Sequence, residues 1–313
     1  MKTLFRRLVV VGLFFVFLLN TLAWNESGHL QIAALAYEEL SDADRKAADD
    51  ILTNHVKYAT WKSEHAAYRA DTPPAQQVSL GFYVFTRAAV WPDEIRDYDR
   101  PETHAYWHFI TYPLKPKTFP YRVPLSPTNN VVFGIGRCMD IIEDEHSGAQ
   151  ARAKYLSFLI HLIGDIHQPM HCGSLFNDAF KGWPDGDKGG NRFMVKETSN
   201  GSTQKLHSMW DGLLGSGDDP DNIKAKAAQL RTNHPPTTLA AQLAITDIRQ
   251  WGRASRTNAV VQAYKKFSHL NATNGNAVLL PQGYKDGAKV KAREYAALAG
   301  YRLAEAIRQA VRE

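Results

Sequence analysis

An all-α single domain is the fold class this 313-residue sequence predicts, and three observations predict it. Apolar residues recur at helical spacing in one stretch after another. Only one segment pairs a β-rich start with a polar turn. No internal repeat or interdomain linker breaks the pattern, and the length suits one large core.

The chain opens with Lys2, Arg6 and Arg7 ahead of an apolar run from Leu8 to Leu19, then the small-residue exit Thr21-Leu22-Ala23. Such a run is too short for a comfortable membrane span and reads as a cleaved secretory signal peptide, residues 1–23. The domain is then 24–313, with Trp24 as its new N-terminus. Losing the leader takes 37 basic side chains to 34 against 32 acidic ones, and the formal charge from +5 to +2. Net charge therefore says little about a polyanionic partner, and any such case must rest on the site. The two cysteines, Cys138 and Cys172, are compatible with a bridge or with free thiols in an exported protein. So low a cysteine count suits a bacterial periplasmic or secreted protein.

Helices are expected over 29–40, 41–52 (opened by Ser41 as cap), 78–90, 127–145, 149–168, 221–231, 238–267 and 285–311. The last is amphipathic and closes the core. The Pro-rich 113–127 and the segment 173–190 read as irregular, and loops are expected around 60–77 and 173–188. The stretch from Asn191 to Trp210 opens with β-formers and then turns, which allows one small hairpin at most.

Chemistry concentrates in HLIGDIHQPMH, 161–171. The preceding YLSFLI is almost wholly apolar, so the helix is expected to be buried. His161 and Asp165 stand four apart, on one face. A buried carboxylate without a partner costs several kcal/mol, and a metal ion would compensate it, since neutral His and ionised Asp are what zinc binds. The bland alternative is a core histidine hydrogen-bonded to a structural Asp. Pro169 disfavours helix continuation, and the chain turns out at His171. His167 falls off the face carrying the pair and reads as a hydrogen-bonding residue at the helix end. Elsewhere His29 follows Gly28, WPDEIR supplies Asp93 and Arg96, WHFI supplies His108 and Phe109, and LHSMWD supplies His207 and Asp211, again four apart. His55, His65, His104, His146, His234 and His269 have polar or loop contexts and read as solvated or merely hydrogen-bonded.

In combination and order, W-x-x-x-G-H (24–29), WPDEIR (91–96), WHFI (107–110), HLIGDIHQPMH (161–171), GGN (189–191) and LHSMWD (206–211) resemble the S1/P1 nuclease family, zinc-dependent hydrolases of the phospholipase C/P1 nuclease fold. A W-x-x-x-S stretch at 251–255 extends the likeness across the whole mature chain. The resemblance implies three zinc ions. Asp93, His108, His161 and Asp165 would hold the first; Trp24, through its amine and carbonyl, with His29 and the bridging Asp165, would hold the second; His171, His207 and Asp211 would hold the third. It also implies that a metal-activated water attacks phosphorus in line and leaves a 5′-phosphate, with Asp93 and Asp165 in the catalytic centre. Arg96 matches a basic residue that steadies transition-state charge, and Phe109 an aromatic platform for an unpaired base; against Phe109 stands packing on Trp107. Two positions depart from the pattern and bear on base recognition: Thr111 stands where an Asp reads a base edge, and Met209 stands where a polar residue is common. Single-stranded nucleic acid or nucleotides are thus the expected substrate, with 3′-nucleotidase activity as an addition. A monomer without stable membrane association is expected. The rivals are zinc-dependent phospholipase C, whose last ligand is usually Glu rather than Asp211, and a non-catalytic exported zinc-binding protein, which would need neither open coordination positions nor Arg96.

Overall fold

Side-chain caps decide where five of the α-helices begin. In the computed structural model, which describes residues 24–312 apart from 117, 118, 121, 124, 125, 271, 274 and the side chain of 266, α1 (Glu26–Glu39) starts where Asn25 accepts the Gly28 N–H at 3.0 Å. The expected leader 1–23 lies outside the described residues. Ser41 caps α2 (Asp42–Leu52) through the Asp44 N–H, as its sequence position suggests. Next come α3 (Tyr58–Asp71), α4 (Leu80–Ala88) capped by Ser79, and the single turn α5 (Trp91–Glu94). Asn130 caps α6 (Val131–Glu143), and α7 (Ala149–Ile166) follows after Gly148. Then come α8 (Leu206–Asp211), α9 (Pro220–Asn233), α10 (Ala240–Leu243), α11 (Ile248–Asn258) and the long α12 (Tyr284–Arg312).

The core is a helical assembly built on α1, α7 and α12. Every residue of α1 from Ser27 to Tyr37 is buried, as is every residue of α7 from Leu156 to Ile166. Burial on all sides marks a central helix rather than a surface one. Helix α6 packs along α7, while α12 and α9 pack along α1.

The mostly helical single domain agrees with expectation, and three details differ. The 58–71 segment, expected as part of a loop, is helix α3; only Trp61 and His65 on it are buried, so its apolar stripe is too thin to read. The expected helix 238–267 is broken: Asp247 accepts the Arg249 N–H at 2.9 Å and starts α11 afresh, and a π-helical turn, Ala259–Tyr264, continues it. The strands exceed one hairpin. The expected hairpin is present as β3 (Met194–Lys196) against β4 (Gln204–Lys205), but β5 (Val278–Leu279) joins β3 in parallel. A separate parallel pair, β1 (Tyr112–Leu114) and β2 (Gly173–Leu175), sets Tyr112 opposite Gly173 and Leu114 opposite Leu175. Parallel pairs need long crossovers, and here α6 and α7 lie between the two strands. That pair ties the end of the His108 segment to the chain just past His171.

Candidate metal centre and substrate cleft

Helix α7 delivers His161 and Asp165 from one face into the interior, both with no exposed surface. His161 donates from Nδ1 to the Ala89 carbonyl at 2.7 Å, which turns Nε2 into the cluster, 3.0 Å from Asp165 Oδ2. His108, at the end of a 3-10 turn, places Nδ1 3.1 Å from the same oxygen and 2.9 Å from His161 Nε2. Asp93 on α5 brings Oδ1 to 3.5 Å from His108 Nδ1 and 3.8 Å from His161 Nε2. From α1, His29 stacks on His161 with ring centroids 4.0 Å apart and sets Nε2 3.4 Å from Asp165 Oδ1. Close approach is what the two nearby glycines permit. A Cβ on Gly164 would stand 2.9 Å from His29 Nδ1, and one on Gly28 would stand 2.8 Å from Trp24 Cβ. Trp24 itself is buried, its indole N–H donating to the Gly164 carbonyl at 3.1 Å.

A second gathering lies beyond the helix end. The 3-10 turn Pro169–His171 carries His171, whose Nδ1–H donates to the His108 carbonyl at 2.6 Å and leaves Nε2 without a partner. His207 on α8 donates from Nδ1 to the Gly189 carbonyl at 2.6 Å, and its Nε2 lies 3.6 Å from Asp211 Oδ2. Gln168 donates to the other Asp211 oxygen at 2.6 Å. The ligand atoms of His171, His207 and Asp211 fall within 4.8 Å of one another, as do those of His108, His161 and Asp165. His29 is grouped by the same measure with Asp93 and His161, so it faces both carboxylates of the inner cluster rather than Asp165 alone.

The donor set fits divalent cations. Among the atoms turned into the two groups, Nε2 of His29, Nε2 of His171 and Oδ1 of Asp165 are buried without a hydrogen-bond partner. Each such atom costs about 1–3 kcal/mol unless something binds it. Burial pushes His108 down to about 4 and His207 down to about 3, so both are neutral at physiological pH, the state a metal requires. Burial opposes ionisation of Asp165, but His161 and His171 outweigh it and hold the carboxyl well below its usual range. Asp211 goes the other way: burial raises it well above normal, with the Gln168 hydrogen bond and Arg96 too weak to offset that and Asp93 and Asp165 adding to the rise. A cation between His171, His207 and Asp211 would reverse that shift.

Over the outer group lies a cleft of about 500 Å³, lined by Arg96, Tyr106, Phe109, Thr111, Asn191, His171 and His207 among others. Phe109 meets Tyr106 edge-on at 6.2 Å. Trp107 is turned away, stacked on His104 at 3.9 Å, so the expected competitor for Phe109 is engaged elsewhere. Arg96 reaches the cleft with Nη1 3.1 Å from Asp93 Oδ1. Met209 does not line the cleft. It is buried in the hydrophobic core, because every residue of α8 except Ser208 is buried. A larger hollow of about 1070 Å³ adjoins the cleft and shares Arg96, Tyr98 and Lys188 with it, but of the ligand residues none lines it.

Tyr98, Tyr106, Lys188 and Gln168 are site residues the sequence did not single out. Gln168 alone carried a signal, by falling inside the 161–171 run. Of the remaining histidines, His55 and His65 are buried and hydrogen-bonded, the second of the two expected states: His55 stacks on Trp61 at 4.6 Å and its Nδ1 accepts the Lys57 N–H at 3.1 Å, and His65 Nε2 meets the Val78 carbonyl at 3.0 Å. His167 bonds at the helix end as expected, with Nδ1 to the Ile163 carbonyl and Nε2 accepting from Arg302. Cys138 and Cys172 are both free and buried. Among the described residues no helix is long and apolar enough to cross a membrane.

A family model described as S1/P1 Nuclease matches residues 24–312. Nuclease S1 of Aspergillus oryzae is 24% identical over 194 residues, covering 61% of this chain and 54% of its own length. Endonuclease 1 of Arabidopsis thaliana is 22% identical over 216 residues (66% and 59%), and nuclease P1 of Penicillium citrinum is 29% identical over 129 (40% and 43%). The chain thus spans about half the length of the curated relatives it matches.

Proposed function

The chain belongs to the S1/P1 nuclease family, and on that premise we propose that it is an exported, zinc-dependent nuclease that hydrolyses single-stranded RNA or DNA. The bond broken is P–O3′, which leaves 5′-phosphate products, and 3′-mononucleotides are substrates of the same site. The observation that carries the reading is the buried convergence of five histidines and three aspartates, several of whose ring nitrogens and oxygens have no partner within the protein.

Asp93, His108, His161 and Asp165 would hold one zinc ion. Trp24, through its α-amine and carbonyl, with His29 and Asp165 would hold a second, and His171, His207 and Asp211 a third. Bound zinc supplies an activated water and positive charge for the phosphate oxygens. The protein's own groups do the rest. The backbone carbonyls of Ala89, His108 and Gly189 take the Nδ1 protons of His161, His171 and His207 and so fix the nitrogen each presents. Arg96, aligned by Asp93, offers its guanidinium to the non-bridging oxygens as their charge grows. Phe109 stacks a base; stacking tolerates any sequence and needs an unpaired strand. Thr111 stands at the base edge with a neutral hydroxyl, which favours no single base strongly.

The test uses mature protein beginning at Trp24, incubated with single-stranded DNA, RNA and phosphatidylcholine, with and without chelator. Chelator-sensitive cleavage of the nucleic acids is expected. Hydrolysis of the lipid alone would refute the nuclease assignment.

A further inference from the structure

His207 is held from behind by a turn that has no ligand of its own. Its Nδ1–H donates to the Gly189 carbonyl at 2.6 Å, and its backbone N–H donates to the Gly190 carbonyl at 3.3 Å. The direction of the imidazole therefore depends on where the 186–190 turn sits.

Asp187 anchors that turn. The side chain is fully buried, and neutral donors surround its carboxylate: the Leu175 N–H at 2.8 Å, the Ser174 hydroxyl at 3.2 Å, the Gly190 N–H and the Tyr264 hydroxyl at 2.5 Å. A buried carboxylate is a costly fastener, tolerable only while its acceptor sites are filled. Tyr264 is the last residue of the π-helical turn Ala259–Tyr264, a type of local widening that recurs at functional sites. The same turn also steadies α8. The Ala263 carbonyl accepts from the Tyr284 hydroxyl at 2.5 Å, and that hydroxyl accepts the Trp210 indole N–H at 3.2 Å. Trp210 stands between His207 and Asp211. One π turn thus holds the outer ligand group from two sides, through Tyr264 and Asp187 on one and through Tyr284 and Trp210 on the other. The inner group is fastened differently, by Ala89 beneath His161 and by α1 beneath His29.

We propose that Asp187 and Tyr264 are positioning residues for the outer metal site: their hydrogen bond fixes the 186–190 turn, and the Gly189 carbonyl then sets the tautomer and aim of His207. The inference rests on the metal reading given above and adds to it a dependence of one ion, not all three, on a pair that touches none of them. The Gly189 carbonyl is a partner of the kind that, bonded directly to a ligand, typically alters metal affinity by about 10–100-fold, and Asp187 and Tyr264 act through it.

The experiment compares mature wild-type protein with Tyr264→Phe and Asp187→Asn. Bound zinc is counted after dialysis, affinities are read by competition with a chromogenic chelator, and the melting of the metal-free forms controls for folding. Tyr264→Phe keeps the ring that packs against Phe193 at 5.5 Å, so it remains a test even where the Asp187 variant folds poorly. The expected result is two ions held as in the wild type and a third weakened by about 10–100-fold, more in Asp187→Asn than in Tyr264→Phe. Three ions at unchanged affinity in the variants, or an equal loss of all three, overturns the positioning role while the three-ion reading stands. Wild-type protein that binds fewer than three ions overturns the three-ion reading, and the positioning role with it.

Discussion

Single side chains divide the labour of the cleft in ways that kinetics can separate. Arg96 pairs with Asp93 Oδ1 and lines the cleft, so Arg96→Ala should lower kcat by about 10²–10³ while leaving zinc content unchanged. Loss of zinc along with activity would mean that Arg96 acts by holding Asp93. Phe109→Ala should instead raise KM, since a base stack contributes about 1–3 kcal/mol, and the rise should be absent for a substrate without a base at that position. Asp93, His108, His161, Asp165, His207 and Asp211 are legible in the sequence because each sits in a short motif beside Trp or apolar residues. Tyr98 is not, because a tyrosine at a rim has no spacing rule, and Gln168 is marked only by lying inside the 161–171 run. Met209 illustrates the converse. Its place between two ligands suggests substrate contact, but every residue of α8 except Ser208 is buried, and Met209 lies in the core.

Among the elements, α7 is the most readable, because a nearly apolar run carrying one His and one Asp four apart fits a buried ligand pair better than a surface helix. Its packing against α1 depends on Gly164. In Gly164→Ala the new Cβ would meet His29 Nδ1 at 2.9 Å and Cε1 at 3.1 Å, and Nδ1 and Cε1 belong to a ring already pinned against His161. Overpacking of this kind costs about 1–3 kcal/mol. The variant should melt several degrees lower and lose zinc from the His29 position, while His171, His207 and Asp211 keep theirs; wild-type melting and zinc content would contradict the close approach. The elements that escape the sequence share a physical reason. Helix α3 buries too little to show a stripe. The parallel pairs β1–β2 and β3–β5 join segments far apart in the chain, so no local pattern marks them. The break at Asp247 is a capping decision inside a sequence that is otherwise helix-compatible.

At the scale of the whole molecule, the two ends of the fold are fastened by Arg312 and Asp44, joined by paired hydrogen bonds of 2.7 Å. The Arg312 hydrogen bond, helped by Ser41 against the cost of burial, holds the Asp44 carboxyl down to about 2, from an ordinary 3.8. A depressed carboxylate contributes stability that is present above its unfolded pKa and is lost as pH falls through the folded one. Arg312→Ala should therefore melt below wild type at pH 7, and the gap should close between about pH 4 and pH 2. A gap that stayed constant across that window would mean the pair contributes through packing alone. The same molecule gathers eight candidate ligand side chains from α1, α5, α7, α8 and two turns into one buried region, so ions bound there would join elements distant in sequence. Metal that binds only the folded state stabilises it by mass action. Chelation should accordingly lower the melting temperature, and added zinc should restore it.

The most direct measurement counts zinc in the mature protein beginning at Trp24 and, on the same sample, identifies the ends left on a defined single-stranded oligonucleotide. Three zinc ions per chain are expected, with 5′-phosphate products that vanish on chelation and return with zinc, and with both ions and activity reduced when an extra residue precedes Trp24. Full activity in metal-free protein, or products ending in a 3′-phosphate, would contradict the account.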